Sequence, residues 1–88
     1  INDKVVNNFK IFPNPSNGVF NIKFTSNIVQ DLEFRIFDIL GEELFSQKLQ
    51  QYKGTYMNKI NLDKKSSGFY FINIKTQDII INKKLILQ

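Results

Sequence analysis

The chain has 88 residues, 42% hydrophobic and 23% charged, with a formal net charge of +4; this composition fits one small folded domain and argues against disorder. Cysteine, histidine and tryptophan are absent, which excludes a disulfide scaffold, a Cys/His zinc centre and any Ser-His-Asp or Cys-His catalytic set. Eleven lysines and one arginine are spread along the chain, paired only at Lys64-Lys65 and Lys83-Lys84, a pattern of solvated lysine that argues against a nucleic-acid footprint on one face.

Thirteen Ile, four Val, three Thr, nine Phe and three Tyr stand against no alanine at all. β-Branched and aromatic side chains suit a pleated, half-buried surface, so the expectation is an all-β domain. Residues 1–8 are polar and aperiodic and read as a linker or precursor junction, with the domain proper over residues 9–88. A short first strand over residues 9–12 stops at Pro13-Asn14-Pro15-Ser16-Asn17-Gly18. Two prolines forbid a regular ladder there, and Asn17-Gly18 tolerate the positive φ of a tight turn. In the second strand, residues 19–24, Phe20, Ile22 and Phe24 share one face while Asn21 and Lys23 share the other. The third, residues 32–36, alternates equally cleanly: Leu32, Phe34 and Ile36 in, Glu33 and Arg35 out. Period-2 alternation of this kind marks half-buried strands. A turn at Gly41 leads to a weaker, more polar fourth strand over residues 43–49, expected near an edge, and a fifth over residues 55–62 with Tyr56, Asn58 and Ile60 facing away from Met57 and Lys59. After a polar loop ending in Gly68, the sixth strand, residues 69–75, is hydrophobic on both faces at its start, which predicts a central place. The seventh, residues 79–87, is interrupted by Lys83 and Lys84, a common way to blunt an edge.

Seven short strands at this spacing predict a seven-stranded antiparallel immunoglobulin-like β-sandwich with no significant helix. A small OB-like barrel is the structural alternative, although it usually includes a helix. Tyr70 stands just after a glycine-containing corner, where a tyrosine corner would bond its hydroxyl back to the loop backbone. If Tyr70, Ile72 and Ile74 point inward, Phe69 and Phe71 point outward and form a candidate docking patch. Nothing reads as catalytic. Glu42 and Glu43 are adjacent and so face apart on a strand, Asp38 and Glu42 merely flank a turn, and the scattered acids form no calcium loop. No cofactor is called for. No apolar run is long enough to span a membrane, so no membrane insertion of its own is expected.

The ordered motifs carry a resemblance. Residues 8–18 contain Pro13-Asn14-Pro15-x-x-Gly18; Leu40-Gly41 form a hydrophobic-Gly turn; Ser67-Gly68-Phe69-Tyr70 form a Ser-Gly-x-Tyr element; and the chain ends Lys83-Lys84-Leu85-Ile86-Leu87-Gln88. Together these resemble the type A C-terminal sorting domain of the type IX (Por) secretion system of Bacteroidetes. The departure is Phe69, where the family usually has Ile or Val. The resemblance implies a non-catalytic C-terminal signal that directs a larger cargo protein, from the upstream part of the same precursor, across the outer membrane. It implies transit through the periplasm, recognition by the type IX outer-membrane translocon, and removal by a sortase-like cysteine peptidase within or upstream of residues 1–8, leaving the cargo at the cell surface or secreted.

On this reading the candidate recognition residues are Gly68, Phe69, Tyr70, Phe71, Lys83, Lys84, Leu85, Leu87 and Gln88. Pro13, Asn14, Pro15, Asn17, Gly18 and Gly41 are candidate structural turn residues. The competing reading is an immunoglobulin- or fibronectin-like accessory module of a secreted enzyme or adhesin, which binds glycan or acts as a spacer.

Overall fold

The computed structural model describes residues 6–88. They form five strands and no helix: β1 (Val6–Phe12), β2 (Val19–Phe37), β3 (Glu43–Asn61), β4 (Gly68–Lys75) and β5 (Ile80–Leu87). All the pairings between these strands are antiparallel. β3 lies along one side of β2; on its other side β2 pairs with β1 through its first half and with β4 through its second, and β5 follows β4. The expected edge character of residues 43–49 and the expected central place of residues 69–75 are both found. Residues 1–5 of the expected junction lie outside the described residues, and β1 begins at Val6, which is buried in the core.

The seven-stranded sandwich is corrected to one curled sheet of five strands. The second and third expected strands are the two ends of β2, and the fourth and fifth are the two ends of β3. The polar stretch between them contains no proline to break the ladder, so the chain stays in β geometry and bends instead. The register with β3 shifts between Ser26 and Gln30 and again between Gln30 and Leu32. Such bulges add a residue to one strand and sharpen its bend. Local polar bonds hold the corner: Ser26 Oγ donates to the Ile28 carbonyl at 2.8 Å, Gln30 Nε2 donates to Ser26 Oγ at 2.9 Å, and the Gln51 amide donates to Asp31 Oδ1 at 2.9 Å. Gln51 itself adopts φ 50°.

The bend turns the two halves of the long β2–β3 ribbon face to face. Phe24 from the first half meets Phe34 from the second edge-on at 6.4 Å between ring centroids, and Tyr56 packs on both, at 5.1 and 5.6 Å. Phe20, Ile22, Phe24, Phe34, Ile36, Ile72, Ile74 and Leu85 fill the space between with almost no exposed surface. Burying each such side chain contributes about 1.5–3 kcal/mol before the entropy cost of ordering it. In a chain this short, with no disulfide, that packing is the main source of stability. Among the described residues no helix is long and apolar enough to cross a membrane.

Candidate recognition surface

The chain end is built as a strand, β5, paired along one edge and clipped along half of the other. β4 flanks one edge of β5 through its whole length, from Gly68 opposite Leu87 to Lys75 opposite Ile80. The proline-bounded segment after β1 occupies the C-terminal half of the other edge. Asn14 Nδ2 donates to the Lys84 carbonyl at 2.9 Å, and Asn14 Oδ1 accepts from the Ile86 amide at 3.0 Å. The Ser16 amide then donates to the Ile86 carbonyl, and the Ser16 carbonyl accepts from the Gln88 amide, both at 2.8 Å. A side-chain amide carries one donor and one acceptor, the same complement as a peptide group. Asn14 therefore imitates one rung of a parallel ladder and Ser16 supplies the next. Pro13 and Pro15 on either side have no N–H that this arrangement would leave unpaired.

Gly18 closes the same turn. Its φ is 123°, its amide donates to Ser16 Oγ at 3.0 Å, and a Cβ built on it would lie 2.6 Å from the Asp63 Cα. Only glycine combines that backbone angle with that approach. The left-handed residue of the expected Asn17-Gly18 pair is Gly18 alone, since Asn17 is not among the positive-φ residues. Gly41 has φ 87° in the β2–β3 turn, where Asp38 Oδ1 accepts from the amides of both Leu40 and Glu42 at 2.9 Å. The carboxylate of Asp38 thus organises a turn.

The candidate recognition residues divide among three places. Tyr70, Leu85 and Leu87 belong to the core. Tyr70 makes the expected corner, its hydroxyl donating to the Ser66 carbonyl at 2.6 Å. Gly68, at φ 144°, starts β4. Phe69 and Phe71 stand outside, 46% and 39% exposed. Lys84 joins them: it lies opposite Phe71, and its ammonium sits 4.8 Å from the centroid of the Phe69 ring. Lys83 faces the other way. It lies opposite buried Ile72, and its ammonium reaches 5.6 Å from the Phe9 ring, beside the cleft between β1 and β5. Adjacent strand residues must face apart, so the two lysines do not share a surface. The Gln88 side chain is exposed, and its amide is part of the clip on Ser16.

Sequence reasoning missed Phe37 and took Asn14 as a turn residue without its partner. Phe37 lies opposite Phe71 and extends the outer aromatic row, with the Arg35 guanidinium 5.7 Å from its ring centroid. Asn14 pairs with β5 across 70 residues of chain. The signal for Asn14 was present as an amide held between two prolines, but its partner was not readable locally.

A family model described as the secretion system C-terminal sorting domain matches residues 10–88. The chain belongs to this family. It is a C-terminal sorting signal of the type IX secretion system, which engages that machinery for a cargo precursor and leads to export to the cell surface or to secretion. Domains of this family are generally non-catalytic. No curated protein matches the sequence. In the sorting domain, the first and last of the motifs that carried the resemblance are one structural unit, Asn14 and Ser16 on the edge of β5.

Proposed function

We propose that the type IX outer-membrane translocon reads the outer face at the chain end, with Phe69, Phe71 and Lys84 in contact. Gly68, Tyr70, Leu85, Leu87 and Gln88 hold that face in place, and Lys83 flanks it on the inner side. The observation that carries this reading is the cation–aromatic cluster of Lys84, in the clipped half of β5, over exposed Phe69 beside Phe71 on the neighbouring β4. Exposed aromatic rings on a rigid strand are good interface anchors, because little side-chain freedom is lost on docking. The precursor passes through the periplasm, and a sortase-like cysteine peptidase then cuts within or upstream of residues 1–8.

The test fuses residues 1–88 behind a Sec leader and a reporter, in a bacterium with an intact type IX system and in one lacking the translocon. The expected result is surface or medium reporter only when the translocon is present. Within that assay, Phe69→Ser with Phe71→Ser, or Lys84→Glu, lowers export of a domain whose circular dichroism and melting are unchanged. Normal export of both variants overturns this assignment of the surface.

A further inference from the structure

The outer faces of the two halves of the curled sheet differ in charge. The first half is built by β1, residues 19–26 of β2 and residues 54–61 of β3, and these segments contain Lys10, Lys23 and Lys59 and no acidic residue. Register puts all three lysines on one outer face: Lys10 lies opposite Lys23, Lys23 opposite Met57, and Asn21 opposite both Phe12 and Lys59. The buried partners Phe20, Ile22 and Phe24 show that the alternate residues of β2 face inward. Among the described residues none of the three lysines is in a salt bridge; the ion pairs found are those of Arg35 with Glu33 and Glu43, on the other half. Three large apolar side chains are exposed on the basic face, Phe12, Val19 and Met57, with Met57 at 56%.

This face ends at an open edge. Among the described residues β3 pairs only with β2. Over residues 54–61 its pairing with β2 is regular and unbroken, from Val19 opposite Asn61 to Ser26 opposite Gly54, so its far side is a straight row of backbone donors and acceptors. A row of this kind is a template for another strand. The molecule fills the matching row on β5 with a side-chain amide; along this one, among the described residues, the Thr55 carbonyl accepts from the Tyr52 hydroxyl at 2.7 Å and the groups of Met57, Lys59 and Asn61 are left for a partner. The lysines also decide what fits. They repel a second copy of the same edge and attract a strand with carboxylates on that side.

We propose that residues 54–61 of β3 take up an extended acidic peptide segment of a partner protein as an added strand. Its backbone pairs with β3, its carboxylates lie toward Lys59 and Lys23 on the outer face, and its apolar side chains cover half-buried Tyr56 on the other. The site is separate from the chain-end surface and does not depend on how that surface is read.

The test uses the 88-residue chain and a capped Glu-Val repeat peptide of eight residues. Three controls accompany it: the Lys-Val repeat, the Glu-Val peptide with alternate backbone amides methylated, and anionic phospholipid vesicles. The expected result is slowed amide exchange confined to residues 54–61 and their neighbours, with affinity that falls as salt rises. Lys59→Glu, at an exposed position, and Lys23→Glu, at a half-buried one, each weaken binding about fivefold with circular dichroism unchanged. Three outcomes overturn the proposal: equal binding of the methylated peptide, which would mean charge attraction without strand addition; binding of the vesicles but not of the peptide; and protection of residues 54–61 that depends on protein concentration alone, which would mean self-association.

Discussion

On β5, the hydrogen-bonding groups from the Lys84 carbonyl to the Gln88 amide find partners in Asn14 and Ser16. On β3, 19 residues long, no strand of the described residues lies along the side away from β2. Both are antiparallel strands of one sheet, and an exposed edge exposes either to unwanted pairing. The difference is what each edge is for. The chain end carries the face proposed for recognition, and a clip holds its strand without adding a sixth. The open edge keeps the outward backbone groups of Met57, Lys59 and Asn61 for the proposed strand, the Thr55 carbonyl being taken by the Tyr52 hydroxyl, and its lysines restrict what can pair there.

The largest loss is expected at Gly18. Gly18→Ala forces a Cβ toward the Asp63 backbone at positive φ and costs about 3 kcal/mol, read by urea denaturation. Gly41→Ala, with positive φ but open space around it, costs about 1 kcal/mol; equal losses at the two sites would refute the close-approach argument. Next comes the clip itself. Asn14→Ala removes two exposed hydrogen bonds, about 1.5 kcal/mol in all, and speeds amide exchange at Ile86 while the amides of residues 54–61 keep their rates. Asn14→Asp keeps the acceptor for the Ile86 amide and loses the donor to the Lys84 carbonyl, so it falls between. Unchanged exchange at Ile86 in Asn14→Ala would mean the edge is not sealed by that side chain. Tyr70→Phe costs about 1 kcal/mol through loss of the bond to Ser66, and the loss shows in the melting temperature.

The open side has a weaker, pH-dependent signature. Burial raises the Tyr56 phenol above its ordinary range; the Asn58 side chain opposes this and the neighbouring Tyr52 adds to it. The folded protein therefore holds this proton more tightly than the unfolded chain. Its contribution to stability is complete below the unfolded value near 10 and is lost as pH rises through the raised folded value. Tyr56→Phe should flatten stability against pH in that alkaline window, followed by denaturant midpoint. Smallest of all, Met57→Thr on the exposed face should change stability by less than about 0.5 kcal/mol.

Much of the chain-end surface was legible locally. Period-2 alternation put Phe69 and Phe71 opposite Tyr70, Ile72 and Ile74, because neighbouring side chains on a strand must diverge. The glycine before Tyr70 located the corner. The same rule separates Lys83 from Lys84, although as a paired charge they read as one feature. The bend was not legible. Polar residues 25–31 look like a loop, and only pairing with β3 keeps them in the sheet.

The amino-acid sequence by itself determined the strand character, the inward and outward faces of each strand, and the motifs that mark the sorting family. Those properties rest on local chemistry and on a two-residue repeat. Tertiary structure decided the rest. It joined seven short segments into five strands, brought Asn14 to a partner 70 residues away, and gathered lysines that are scattered along the chain onto one acid-free face. Each of these depends on which strands lie side by side, and that is settled by how the whole chain buries its apolar faces together.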